Sequence, residues 1–269
     1  MVARFAAGAP RPALMVAAGG GGTLRAVVEG VMDAFPNAPP TADVVQLAAL
    51  RMGSGNVVAR TLGIPRDPVE AARQVGEGFA RNLTKPCGVI RCAHGSSAGG
   101  TAVQHAVTMC GLGQWGLVPG DIARWRLRHA VGRKRAAARI GLERVNALEY
   151  VAFGAARMLA GTLSASRCEM VEIDGVRQVR LLAAVALNLP LSPLPNPRVE
   201  MGDEAIGLTI VPRLGRPFRR RLEPGDSFEV RLLDRESTEF FLDEDPERAT
   251  GWLRLDVAGV LQFVPGRAA

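Results

Sequence analysis

Ala13-Leu14-Met15-Val16-Ala17-Ala18 runs into Gly19-Gly20-Gly21-Gly22-Thr23, and Leu24, Val27, Val28, Val31 and Phe35 follow at helical spacing. An apolar strand that turns through glycines into an amphipathic helix is the unit from which parallel α/β sheets are built. Glycine lets a backbone approach an anion closely. A helix N-terminus adds unpaired N–H groups at the positive end of its dipole. The stretch therefore predicts a fold class and a phosphate-type site together, with Gly19, Gly20, Gly21, Gly22 and Thr23 supplying the backbone.

Working outward, residues 44–50 form a second apolar run that ends in another tight loop, Gly53-Ser54-Gly55-Asn56. Residues 57–62 read as a short helix stopped by Gly63 and Pro65, and Asp67 caps a third helix with Pro68 at its first position. Beyond Lys85-Pro86 the texture changes. Residues 88–92 and 105–109 read as strands around a Gly/Ser loop, and residues 121–160 are basic and helical. Residues 168–173 and 176–187 are strand-like runs joined by Asp174-Gly175, a strong hairpin signal. Residues 206–211, 227–233, 240–242 and 253–257 continue the strand pattern, with Arg219-Arg220-Arg221 in a loop. The expected fold class is α/β + β. A small parallel α/β nucleotide-binding domain spans residues 1–85, and a β-rich, sandwich-like domain spans 86–269.

A chain of 269 residues that is 48% hydrophobic can bury substantial cores. No apolar run reaches the length of a membrane span, and the start lacks a basic-then-apolar leader, so a cytoplasmic location is expected. Cys87, Cys92, Cys110 and Cys168 form no CxxC pair and read as small buried hydrophobes. The three histidines, His94, His105 and His129, show no triad or zinc-helix spacing. A dinucleotide fingerprint does not fit, because Leu24 or Arg25 falls where its third small residue is needed. The net charge is +7, and Arg124, Arg126, Arg128, Arg133, Lys134, Arg135 and Arg139 cluster in one segment. That segment suits an anionic membrane surface. Nucleic acid is not expected, since Trp125 is the only stacking aromatic there.

The two glycine loops, followed by Val57-Val58-Ala59-Arg60 and then Leu62-Gly63-Ile64-Pro65, resemble the diacylglycerol kinase catalytic domain family, which includes bacterial lipid kinases and sphingosine kinases. That family carries GGDGT, then a loop of the type GTGNDxAR, then LGIP, and later a DGE motif. The resemblance implies an ATP-dependent lipid kinase acting on a lipid hydroxyl, with ATP and Mg2+ as cofactors and a lipid substrate as partner. It implies that Gly19, Gly20, Gly21, Gly22 and Thr23 cradle phosphates and that Gly53, Ser54, Gly55 and Asn56 line the nucleotide pocket. It places Asp245, the last residue of Phe241-Leu242-Asp243-Glu244-Asp245, as the catalytic proton acceptor. Asp203, beside Glu204, falls at an acidic metal-binding patch of the second domain. It also implies peripheral contact with a membrane, and sets no oligomeric state.

The departures carry as much chemistry. Gly21 stands where the family has the aspartate of GGDGT, and Val57 where the second loop has an aspartate. Arg25 and Ala26 replace the usual Asn and Glu, and Glu244 replaces the glycine of DGE. Phosphoryl transfer depends on charge neutralisation and positioning, which glycine and valine side chains do not provide. The backbone cradle survives better than the chemistry. A kinase with weak or lost activity is expected, the alternative being a catalytically inactive nucleotide- or lipid-binding regulatory module. Relatives also carry two further strands before the glycine loop, where this sequence has eighteen residues.

Overall fold

The computed structural model describes residues 12–53, 56–189 and 199–266. Ser54 and Gly55, two of the expected pocket residues, lie outside the described residues. Strand β1 (Ala13–Gly19) leads into helix α1 (Gly21–Ala34), and β2 (Val45–Arg51) pairs parallel with β1 along its whole length, from Ala13 against Val45 to Gly19 against Arg51. Two helices follow, α2 (Val57–Thr61) and α3 (Pro68–Ala80). Asp67 caps α3 by accepting a 2.7 Å hydrogen bond from the Glu70 N–H, and Pro68 opens it, where a missing N–H costs nothing. This is the expected parallel α/β unit. The helices bury Leu24, Val28, Val31, Val58, Leu62 and Val75 against Leu47 and Ala48 of β2.

The remainder is strand-rich. It contains β3 (Lys85–Gly95), β4 (Thr101–Ala106), β5 (Met109–Gly113), β6 (Glu169–Ile173), β7 (Arg177–Leu187), β8 (Ile206–Pro212) and β9 (Phe218–Leu222). Then come β10 (Ser227–Leu232), β11 (Ser237–Leu242), β12 (Asp245–Thr250) and β13 (Trp252–Phe263). All pairings within this part are antiparallel. A second core gathers beneath it, with Phe228 and Phe240 buried among Ile90, Leu112, Leu181 and Leu255. Between β5 and β6 three helices stand out from the sheet, α4 (Val118–Arg128), α5 (Ala130–Ile140) and α6 (Leu142–Leu163).

The two parts are stitched by the last strand. β13 runs antiparallel to β3 and β10, then meets β2 in parallel at Phe263 against Leu47. Its end, Leu261 and Phe263, is buried in the first core while Leu253 and Leu255 are buried in the second. Loss of a fully buried phenylalanine such as Phe263 typically costs about 3–5 kcal/mol, so the joint between the parts is strongly held.

Two expectations are corrected. Arg219, Arg220 and Arg221 lie within β9 rather than a loop. Among the described residues β9 pairs with β8 alone, and its Leu222 is buried, while Arg220 reaches Asp174 at 3.0 Å. Arginines on such a strand guard it against edge-to-edge pairing. Residues 105–109 are not one strand. The chain breaks after Ala106 because the N–H groups of Val107, Thr108 and Met109 turn away from the sheet to a carboxylate, that of Asp243. All four cysteines are free and buried, as expected.

Candidate nucleotide site

The two glycine loops meet backbone to backbone. A Cβ on Gly53 would sit 2.3 Å from the Cα of Gly20, and one on Gly19 would sit 2.2 Å from the Oγ1 of Thr23. Neither position admits a side chain, which explains the glycines by packing alone. Gly20 precedes α1 without a side-chain cap, and no acidic residue occupies the first turn. The first-turn N–H groups, at exposed Gly21, Gly22 and Thr23, therefore face solvent at the positive end of the helix dipole. Asn56 braces the second loop. Its Oδ1 accepts from the Gly53 N–H at 2.9 Å and its Nδ2 donates to the Gly53 carbonyl, while its own backbone adopts φ 51°.

These elements frame a small cleft of about 60 Å³, open to solvent at its mouth. Its polar wall is Gly19, Gly20, Gly21, Asn56, Thr108, Asp243 and Glu244; its floor is apolar, from Ala17, Ala49, Val57 and Val107 among others. A backbone anion cradle above an apolar floor is what a nucleotide requires, phosphates on one side and a flat ring on the other. Gly22 and Asp245 face each other at the edge of this arrangement, a Cβ on Gly22 lying 3.6 Å from Asp245 Oδ2.

The acidic turn opposite the glycines is the two-residue connection between β11 and β12, Asp243 at φ 51° and Glu244 at φ 84°, with Leu242 paired to Asp245. Two successive positive φ values normally call for Asn-Gly or Asp-Gly. Glu244 holds the glycine position of the resembled DGE motif in the backbone conformation that glycine favours. Asp243 is buried, and its carboxylate accepts from the N–H groups of Val107 and Thr108 at 2.7 Å, from Met109 at 3.1 Å and from the Thr108 hydroxyl at 2.5 Å. Burial pushes its carboxyl above the usual range, against the pull of these four hydrogen bonds. Glu244 is likewise raised by burial, with Arg126 of α4 opposing and Asp243 and Asp245 reinforcing. Burial also raises the Tyr150 hydroxyl of α6, and the Glu244 charge adds to it.

Arg25, only 7% exposed, is the cation of this site. It reaches Glu247 at 2.9 Å, Asp245 at 3.4 Å and Glu29, one turn on, at 3.8 Å. Glu29 in turn accepts from the His105 N–H at 2.5 Å and meets His105 Nδ1 at 2.7 Å, tying α1 to β4. Asp245, Glu247 and Glu29 thus share one guanidinium, and among the described residues no group of three or more His, Cys, Asp or Glu side chains is arranged to hold a metal ion. The described residues do not form a resident divalent-cation site. Asp203 lies elsewhere, in a turn where its Oδ2 accepts from the Glu200 N–H and from Arg221, both at 3.1 Å. It does not line the cleft.

Residues 2–85 match the family model described as the diacylglycerol kinase catalytic domain. The resemblance read from the glycine loops holds. Among solved structures, a diacylglycerol kinase from Bacillus anthracis superposes with a TM-score of 0.58 at 16% identity, covering 98% of this chain and 80% of its own. A yeast NADH kinase complexed with NADH gives 0.51 at 15% identity, covering 94% of this chain and 61% of its own. At these identities the likeness is one of fold, a mixed α/β sheet with a parallel N-terminal unit and a strand-rich remainder. No curated protein sequence matches this chain.

The structure brings Gly19, Gly20, Gly21, Gly22, Thr23, Gly53 and Asn56 together with Asp245, and leaves Asp203 apart. Sequence reading did not assign roles to Thr108, Glu29, Glu247 or His105. Only Arg25–Glu29, four residues apart on a helix, left a local signal. The contacts to Asp245 and Glu247 span 220 residues or more and have none.

Proposed function

We propose that this chain binds ATP through its glycine cleft as a diacylglycerol kinase-like protein, presenting the terminal phosphate toward Asp245 and a lipid hydroxyl as acceptor, with transfer slow or absent. The observation that carries the reading is the contact of the two glycine loops at the α1 N-terminus opposite the Asp243–Asp245 turn. The reading of slow transfer rests on three residues. Gly21 and Val57 leave the cleft without two carboxylates of the resembled motifs. Arg25 competes with an acceptor proton for Asp245 Oδ2. Loss of one positioned electrostatic group typically costs about 10²–10³ in rate. The second reading, a nucleotide- or lipid-binding module without turnover, is favoured by the same Arg25 network.

Calorimetric titration with ATP, with and without Mg2+, tests the binding. Transfer of labelled phosphate to diacylglycerol or a sphingoid base tests the chemistry. Saturable ATP binding that is lost in Gly20→Val, with little transfer, is the expected result. Absence of ATP binding overturns the proposal. Rapid transfer that disappears in Asp245→Ala overturns the account of Arg25 and Gly21.

A further inference from the structure

Helices α4, α5 and α6, residues 118–163, carry eight of the sixteen large hydrophobic side chains that stand exposed among the described residues: Leu127, Val131, Ile140, Leu142, Leu148, Val151, Leu159 and Leu163. On α6 they form a stripe. Leu148, Val151, Ala152, Ala155, Leu159 and Leu163 fall on one helical face, all exposed, with no charge among them. The stripe is about 22 Å long at 1.5 Å per residue. The opposite face of α6 packs inward through Asn146, Glu149, Gly154 and Gly161.

The same helices hold the positive charge. Residues 118–163 contain nine Lys/Arg and three Asp/Glu, a net +6 of the chain's +7. The basic segment is divided between an inward and an exposed set. Arg126 and Arg133 turn inward to Glu149, at 2.7 and 2.8 Å, and Arg124 and Arg157 share Asp121. Arg128, Lys134, Arg135 and Arg139 remain exposed and make no ion pair among the described residues. α5 buries no residue at all. No helix of the described residues is long and apolar enough to cross a membrane.

From the charge complementarity of this exposed apolar and cationic arm, we infer that α4–α6 is a docking surface for an anionic phospholipid bilayer, lying on it rather than through it. Apolar side chains flanked by unpaired Arg and Lys are what a membrane interface selects, the first entering the acyl boundary and the second meeting lipid phosphates. Nucleic acid would satisfy the charges and leave the α6 stripe in water. A second copy would cover the stripe and leave the α5 cations unsatisfied. Docking also has a consequence for the cleft, because α4 and α6 bring Arg126 and Tyr150 to Glu244 on their inner side. The arm would set the acidic turn beside the lipid surface. The inference stands on the arm alone and does not depend on ATP binding.

Cosedimentation of the full chain with phosphatidylcholine vesicles, with and without phosphatidylserine, tests it. Binding is expected only with phosphatidylserine and falls with added salt, since screening acts over about 10 Å at 0.1 M. Substituting Arg128, Lys134, Arg135 and Arg139 together by Gln should lower affinity more than a hundred-fold, from about five-fold per basic residue near an anionic surface. Leu148→Gln with Val151→Gln and Leu159→Gln should weaken binding at every salt concentration. All seven positions are exposed, and an unchanged circular dichroism melt verifies folding. Equal binding to neutral and anionic vesicles, or none to either, overturns the inference. So does sedimentation of a dimer that the Gln-substituted stripe converts to monomer without any vesicle binding, or displacement of the vesicles by single-stranded RNA.

Discussion

Replacing Arg25 by methionine keeps much of the side-chain volume and removes only the guanidinium. Asp245, Glu247 and Glu29 are then left facing one another without their shared cation. Truncating one partner of a buried ion pair typically costs about 3–5 kcal/mol. Here Arg25 is buried, but the carboxylate side chains are 49%, 25% and 24% exposed, so water compensates much of the loss. The expected destabilisation is about 2 kcal/mol, the remainder being screened. For a chain of this length that corresponds to about 4 °C in Tm. Urea denaturation at neutral pH reads the free energy, and a thermal melt reads the shift. The same substitution should create a divalent-cation site where the described residues of the wild-type form none, detected with Mn2+ by calorimetry or paramagnetic relaxation. A loss below about 0.5 kcal/mol with no gain of Mn2+ binding would refute the view that Arg25 holds this cluster together.

Glu244→Gly should stabilise the protein by about 1 kcal/mol or more in urea denaturation, by relieving a side chain held at φ 84°. No gain would mean the turn is unstrained. The pH dependence has a definite sign. Burial raises the Glu244 carboxyl above its unfolded value, so its contribution favours folding at low pH and is lost as pH rises from the ordinary carboxylate range through the raised value. Glu244→Gln should therefore be more stable than wild-type at neutral pH and lose that advantage in acid, as paired denaturation curves would show. Gly53→Ala should force the loops apart, since its Cβ meets the Gly20 Cα at 2.3 Å, and calorimetry should find ATP binding lost; undiminished affinity would separate the loop contact from the ligand site.

Much of the α/β unit was legible because its signals are local. The apolar run before Gly19, the helical spacing after it, and Asp67-Pro68 each act within one turn or strand, and β1, α1 and α3 form where those signals lie. The glycine loops were legible as a pair because both have positions that admit no side chain. What the loops face was not legible, because Asp243 and Asp245 arrive from the far end of the chain. Likewise, helical charge was readable between 124 and 139, but which arginines turn inward depended on Glu149, on another helix.

Two turns of the chain show where the boundary lies. Asp174-Gly175 and Asp243-Glu244 have nearly the same backbone, φ 49° and 70° in the first and 51° and 84° in the second. The first is written in the sequence: glycine adopts positive φ at no steric cost, so Asp-Gly between apolar runs specifies a hairpin by itself. The second is not, since glutamate disfavours that conformation. It is held because Val107, Thr108 and Met109 deliver three N–H groups and a hydroxyl to the buried Asp243 carboxylate, 134 to 136 residues away in the chain. Local stereochemistry decided the first turn and tertiary hydrogen bonding the second. The candidate site is lined by the second turn, which long-range contacts hold.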